Sequence, residues 1–280
     1  MMKCKRFSTT RDFEMKPDSH HKPRIAVHKF SSCDGCQLGF LNLGEALLEL
    51  AGRVDIVHFA EAGPVNEAAE VDIAFVEGSV TTPQELARIE QVRSHCRYLI
   101  TIGACATSGG LQAFRNLADV DEWMASIYPS PEFIQTLASA TPISDHVRVD
   151  FEIWGCPIDG QQLLEVVKSL LLGVVPALAQ ESLCLECKRR GNVCVLVTRQ
   201  QPCLGPLTQT GCGALCPSVG RDCYGCFGPR EQANTGALSH CFKGFGLQPW
   251  QIAHRFLFIN NNAPAFAEAG RKALEGQADE

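Results

Sequence analysis

A chain of 280 residues with 45% apolar content can bury a normal core and is long enough for one large or two modest domains. Its formal charge of -6 argues against nucleic acid as a partner, and no basic stripe with interleaved aromatics runs along it. The most apolar window, Leu163 to Ala179, is interrupted by Glu165, Lys168, Gly173 and Pro176, so no membrane span is expected.

The first 23 residues are polar, charged and rich in His and Lys. They hold no apolar run that would serve as a signal-peptide core, so residues 1–23 are expected to form a disordered extension and the protein to be cytoplasmic. From Arg24 short apolar runs alternate with amphipathic stretches, which predicts strands alternating with helices about a parallel sheet. The predicted strands are Arg24 to Val27, Asp55 to His58, Ile73 to Val76, Tyr98 to Ile102 and Val147 to Ile153. Predicted helices cover Leu38 to Leu50, with apolar residues three and four apart, and Pro83 to Ser94, where Thr82 caps and Pro83 takes the first helical position. A further helix, capped by Asp159 and running through Leu172, stops at Gly173 and Pro176.

The expected fold class is therefore α/β, a flavodoxin-like doubly wound parallel sheet over residues 24–178. Residues 179–280 are expected to form a second, irregular Cys-rich domain. After Glu181 the composition turns to Cys, Gly and Pro with little periodicity, and such a segment needs metal to fold. A short amphipathic tail, Pro249 to Phe258, is expected to pack back on the body.

Fifteen cysteines in a reducing compartment read as metal ligands and not as disulfides. Twelve of them fall into two sets. The first is spread through the α/β half: Cys33 and Cys36 in Cys-Asp-Gly-Cys, Cys105 in Gly-Ala-Cys-Ala-Thr-Ser-Gly-Gly, and Cys156 in Trp-Gly-Cys-Pro. Each lies past the carboxyl end of a predicted strand, where open α/β sheets place their ligands. Their glycines let backbone amides approach cluster sulfurs; otherwise four buried thiols would act as small hydrophobes. The second set is Cys184, Cys187, Cys194, Cys203, Cys212, Cys216, Cys223 and Cys226. Because a 4Fe-4S cube takes one cysteine per iron, four plus eight thiolates suit three cubes. Zinc remains an alternative for the second set, since paired Cys-x2-Cys elements also build tetrahedral sites.

Cys33-x2-Cys36, Gly103-Ala-Cys105-x3-Gly109-Gly110 and Gly155-Cys156-Pro157 resemble the proximal-cluster motifs of nickel-iron hydrogenase small subunits, shared in part with a cluster-bearing subunit of respiratory complex I. The segment from Cys184 to Cys226 resembles the medial and distal cluster domain of the hydrogenase subunits. Within that family the chain is similar to the soluble branch, the sulfhydrogenase delta and factor-420-nonreducing small subunits. The resemblance implies three 4Fe-4S clusters: proximal on Cys33, Cys36, Cys105 and Cys156; distal on Cys184, Cys187, Cys194 and Cys203; medial on Cys212, Cys216, Cys223 and Cys226.

It also implies a nickel-iron large subunit as partner, on which dihydrogen is split. Onward transfer would go to a diaphorase-type flavin and iron-sulfur subunit serving NAD(P), or to ferredoxin or another low-potential acceptor. Two departures from the membrane-bound branch sharpen this. Cys184 stands where that branch carries a histidine, and Cys216 supplies a fourth medial thiolate. Added anionic thiolate favours the oxidised cluster and lowers its potential. No extra cysteines flank Cys33 and Cys36, so a modified proximal cluster is not expected. The competing expectations are a zinc-stabilised interaction module on a flavodoxin-like domain and a complex I-like subunit with one cluster.

Outside these sets, Cys96 is expected in the core, Cys241 is a reserve ligand and Cys4 lies in the leading segment. Glu77 is expected either to serve the partner, facing its active site or helping a proton path, or to be a crevice carboxylate satisfied by backbone amides. His28, His58, His95 and His240 are expected to be ordinary satisfied histidines, and Lys188-Arg189-Arg190 to be solvated surface or a docking patch.

Overall fold

The computed structural model describes residues 22–275; Cys4 and most of the expected N-terminal extension lie outside them. Five parallel strands, β1 (Arg24–Lys29), β2 (Asp55–Phe59), β3 (Val71–Glu77), β4 (Cys96–Ile102) and β5 (Phe151–Ile153), form one sheet in the order β2-β1-β3-β4-β5. This is the flavodoxin-like order, with its switch point between β1 and β3. The central strands are apolar on both faces because helices cover both. On one face Phe75, Ile100, Ile102 and Ile153 pack with residues of α1 (Gly35–Leu41), α2 (Glu45–Arg53) and α6 (Gly160–Leu171). On the other, Ala74, Val76 and Leu99 pack with α3 (Pro83–Ser94) and α4 (Gly103–Ser108). Burying each such side chain contributes about 1.5–3 kcal/mol.

The expected caps are present. Thr82 and Glu85 form a reciprocal capping box at α3, and the Asp159 carboxylate accepts from the amides of Gln161 and Gln162, both at 3.0 Å, at α6. Two expected elements differ. The single helix predicted over Leu38 to Leu50 is broken into α1 and α2, because Gly44 adopts a positive φ of 57° between them. The strand predicted from Val147 shrinks to Phe151–Ile153. There the Asp150 carboxylate takes the Leu99 amide at 2.9 Å and the Arg93 guanidinium at 2.6 Å, replacing ladder bonds with side-chain ones.

A third apolar core gathers the C-terminal part. Leu183, Leu204 and Leu207 from the Cys-rich segment meet Phe242 of α10 (Thr235–Gly244), Ile252 and Phe256 of α11 (Pro249–Phe256) and Phe266 of α12 (Pro264–Glu275). The tail expected at Pro249 to Phe258 is thus one of three helices. Before them α5 (Val120–Ile127), α7 (Cys184–Arg189), α8 (Val195–Arg199) and α9 (Leu215–Ser218) are short. The third core joins the sheet through Trp154, which packs against it, and through Ser108, whose hydroxyl bonds Asn260 at 2.7 Å.

His28 and His58, both buried on β1 and β2, stack with ring centroids 4.6 Å apart. The Asn66 amide donates to His58 Nδ1 at 3.1 Å, while His28 Nδ1 and His58 Nε2 have no partner, so this pair is less fully satisfied than expected. Burial, then the charges of His58 and Arg88, push the His28 pKa down to about 3; burial lowers His58 too, with Glu67 opposing. The unfolded chain therefore binds more protons than the folded one between about pH 6.5 and pH 3, so stability is full above that window and falls with pH through it. His28→Leu should flatten the acid limb of a thermal-denaturation series across this window; an unchanged slope would show that the histidine does not drive it.

Candidate metal centres

At the switch point the loop after β1 carries Cys33 and turns into α1 at Asp34, whose φ is 64°. Lys29 holds that turn through Asp34 at 2.8 Å and reaches Glu61 at 2.7 Å. Glu77, at the end of β3 and 2% exposed, accepts from the amides of Cys36 at 3.0 Å and Gln37 at 3.1 Å. Of the two roles open to Glu77, the geometry gives it the amide-satisfied one. It caps the first turn of α1 and so sets the direction in which Cys36 points. Burial raises its pKa, and the amides of Cys36 and Gln37 pull it partly back.

Cys105 sits in the first turn of α4, and Cys156 follows β5. The Ala104 amide bonds the Gly155 carbonyl at 2.6 Å, which ties the two segments together. The four predicted cysteines of the first set are thereby gathered. The Cys105 thiol is pushed up to about 12 by burial first, then by its neighbours Cys156 and Cys33; Cys36 is raised further by burial, with Glu77, Cys105 and Cys156 adding to it.

Cys184, Cys187, Cys194 and Cys203 line one cavity with Leu183, Val195, Leu196, Pro206 and Pro217. Burial, then Cys203, Cys187 and Cys194, push Cys184 up to about 11. The remaining four, Cys212, Cys216, Cys223 and Cys226, act on one another electrostatically. Cys226 is pushed up to about 12 by burial, then by Cys212, Cys156 and Cys216. Cys223 feels burial first and, among thiols, both Cys203 and Cys226. Its amide points at Cys203 Sγ at 3.2 Å, and the Gly225 amide points at Cys223 Sγ at 3.3 Å. Cys203 therefore neighbours Cys223, and Cys156 is near enough to Cys226 to act on it electrostatically.

The donor sets fit clusters on two observations. Burial and neighbouring thiols both disfavour the thiolate form here, and cations entering beside the sulfurs, as irons would, reverse that preference. The glycines also leave room where sulfur must be approached. A Cβ on Gly110, whose φ is 56°, would fall 2.7 Å from Cys105 Sγ, and one on Gly103 would collide with Cys36 Sγ. Among the described residues no three His, Cys, Asp or Glu side chains converge closely enough to hold a single metal ion.

The delta subunit of Pyrococcus furiosus sulfhydrogenase 2 is 34% identical over 220 residues, 79% of this chain and 92% of that one. The chain belongs to the nickel-iron hydrogenase small-subunit family. The model of the NADH ubiquinone oxidoreductase 20 Kd subunit family matches residues 33–170 of this hydrogenase subunit. A chain of the F420-non-reducing vhu hydrogenase of Methanocaldococcus jannaschii is 29% identical over 281 residues, covering 89% of this chain and 98% of that one. A solved NAD+-reducing [NiFe]-hydrogenase chain, 29% identical, superposes with a TM-score of 0.53 over 56% of this chain and 96% of its own.

Two residues of the hydrogenase subunit that sequence reasoning missed hold the cysteine loops. Glu186, between Cys184 and Cys187, accepts from the amides of Gly211 at 2.8 Å and Ala214 at 3.1 Å, fixing the loop of Cys212. Asn260 accepts from Ser108 and donates to the Gly225 carbonyl at 2.7 Å, joining the helix of Cys105 to the loop between Cys223 and Cys226. Cys96 is buried as expected, its thiol 3.7 Å from the Arg93 carbonyl, and Cys241 packs at the edge of the third core. His95 Nδ1 lies 2.8 Å from the Gln91 carbonyl at the end of α3. Glu77→Ala leaves two buried amides unpaired and should cost about 1–3 kcal/mol each. Glu77→Gln, which keeps one acceptor, should cost less; equal thermal-unfolding losses for the two variants would contradict the capping role.

Proposed function

We propose that this chain is the electron-transfer subunit of a cytoplasmic nickel-iron hydrogenase, with the first domain over residues 24–178 and the second over 179–280. The observation that carries the reading is the approach of the three thiol sets: the Cys223 amide lies 3.2 Å from Cys203 Sγ, and Cys156 is near enough to Cys226 to act on it electrostatically. Cys33, Cys36, Cys105 and Cys156 would hold the proximal 4Fe-4S cluster, Cys212, Cys216, Cys223 and Cys226 the medial one, and Cys184, Cys187, Cys194 and Cys203 the distal one. When bound, such clusters supply one-electron transfer between the large subunit's nickel-iron site and an acceptor.

The protein's own work is placement and tuning. Glu77 and the bond from Ala104 to Gly155 fix the first set, Glu186 and Asn260 fix the loops of the second and third, and the amides of Cys223 and Gly225 aim at sulfur. Amide hydrogen bonds to sulfur and the number of thiolates set cluster potential. The full thiolate count at Cys184 and Cys216 supports a low-potential acceptor, NAD(P) through a flavin and iron-sulfur partner or ferredoxin. A relative named as NAD+-reducing supports the same choice. Among the described residues no helix is long and apolar enough to cross a membrane.

Two variants test the relay. Gly110→Ala should cost roughly four irons per chain and abolish hydrogen-dependent reduction of acceptors by the native complex. Gly52→Ala, on exposed α2 where a Cβ meets nothing within 4 Å, should keep its iron; equal iron in both variants would refute the cradle. Cys216→Pro should leave a three-iron medial centre of raised potential, read as a new EPR signal in the oxidised state. An unchanged spectrum would sink the medial assignment.

A further inference from the structure

The segment from Cys184 to Arg221 is oppositely charged to the chain it belongs to. It carries Lys188, Arg189, Arg190, Arg199 and Arg221, against a formal charge of -6 for the whole chain. Its one acidic residue, Glu186, is turned inward onto the amides of Gly211 and Ala214. All five cationic side chains are exposed. Folding brings Arg190 to one end of α9 and Arg199 to the other, with Arg221 just beyond it in sequence. The Arg190 guanidinium bonds the Gly213 carbonyl, and Arg199 bonds that of Gly220 at 3.1 Å, which staples α7 and α8 to both ends of α9.

In the same segment, interleaved with these cations in sequence, four apolar side chains stand out in solvent: Val193 at 69%, Val197 at 75%, Leu215 at 64% and Val219 at 69% exposed. Cys194, next to Val193, is the exposed member of its set, and Pro217 of α9 lines the same cavity as Cys184, Cys187, Cys194 and Cys203. An apolar centre with a one-signed rim is the anatomy of a protein interface, and the sign of the rim selects the partner.

We propose that this face docks an acidic redox protein, one whose electron-carrying group lies near a surface ringed by Asp and Glu. The inference rests on reading Cys184, Cys187, Cys194 and Cys203 as the outermost cluster ligands. Each transfer oxidises that centre by one electron and reduces the partner by one. Dihydrogen, split on the large subunit into two protons and two electrons, is the source, and no atom crosses the contact. The apolar centre excludes water between the two groups, and the cations raise the encounter rate, an effect worth about 10-fold to 1,000-fold in steered pairs. A redox contact of this type is small, under about 1,200 Å², and is made and broken at each turnover.

The test uses the native hydrogenase complex with an acidic bacterial ferredoxin and with basic mitochondrial cytochrome c as probes. Raising salt from about 0.01 M to about 0.15 M shortens the Debye length from about 30 Å to about 8 Å, and should slow hydrogen-driven ferredoxin reduction without slowing that of cytochrome c. Lys188→Glu combined with Arg189→Glu should lower kcat/KM for ferredoxin by about tenfold or more and leave exchange between dihydrogen and deuterated water unchanged. Should that double variant lose iron, the milder Arg189→Gln in the same salt series decides, with a smaller drop expected. Salt-insensitive ferredoxin reduction by the wild type, or wild-type rates in an iron-replete variant, would overturn the docking face. A wild-type complex that lacks iron and isotope exchange altogether would instead overturn the hydrogenase reading on which it rests.

Discussion

Buried thiols without a counter-charge govern this molecule. Burial is the largest cause raising Cys36, Cys105, Cys156, Cys184, Cys203, Cys212, Cys223 and Cys226, and the charges that come next are mostly other thiols or Glu77 and Glu186. Gathering such groups in their thiolate form is unfavourable unless something positive is placed among them. On the proposed reading metal uptake would be a folding term for the segment from Cys184 to Cys226, which has few regular elements of its own. Its short helices α7, α8 and α9 are positioned by Glu186, Arg190 and Arg199 reaching across to backbone groups of neighbouring loops.

The sheet gives the first cysteine set a rigid seat, and the remaining contacts register the others against it. Cys33 follows β1, Cys105 follows β4 and Cys156 follows β5, so three parallel strands with fixed register place three ligand loops at one edge. Asn260 then couples the Cys105 helix to the loop of Cys223 and Cys226, Trp154 packs into the third core, and Gln162 reaches the Thr210 carbonyl at 3.4 Å. On the proposed reading these joints between sheet and Cys-rich segment would hold the three sites at fixed separation, and so bear on transfer rate as well as on stability.

Much of this was legible in the sequence, for physical reasons. Doubly covered parallel strands are continuous apolar runs, so β1, β2, β3 and β4 stand out. Pro83, Thr82 and Asp159 announce their helices through local chemistry. Cysteine spacing singled out the twelve thiols of the three sets. Other features depend on partners distant in sequence and leave no local mark. The shortening of β5 comes from Asp150 reaching Leu99 and Arg93, and Asn260 acts only because Ser108 and Gly225 arrive beside it. Helices α10 and α12 were missed because Gly236, Gly244 and Gly270 interrupt their patterns. Gly270 is required there, since a Cβ would collide with Leu257 of the neighbouring helix end. The break at Gly44 was hidden by apolar spacing that runs through it.

The central claim is that twelve thiols in three sets hold three four-iron centres. It is met most directly by metal and acid-labile sulfide analysis of the anaerobically purified chain. About twelve irons and about twelve sulfides per chain are predicted. A colourless protein with stoichiometric zinc and no sulfide, or one with about four irons, would contradict it.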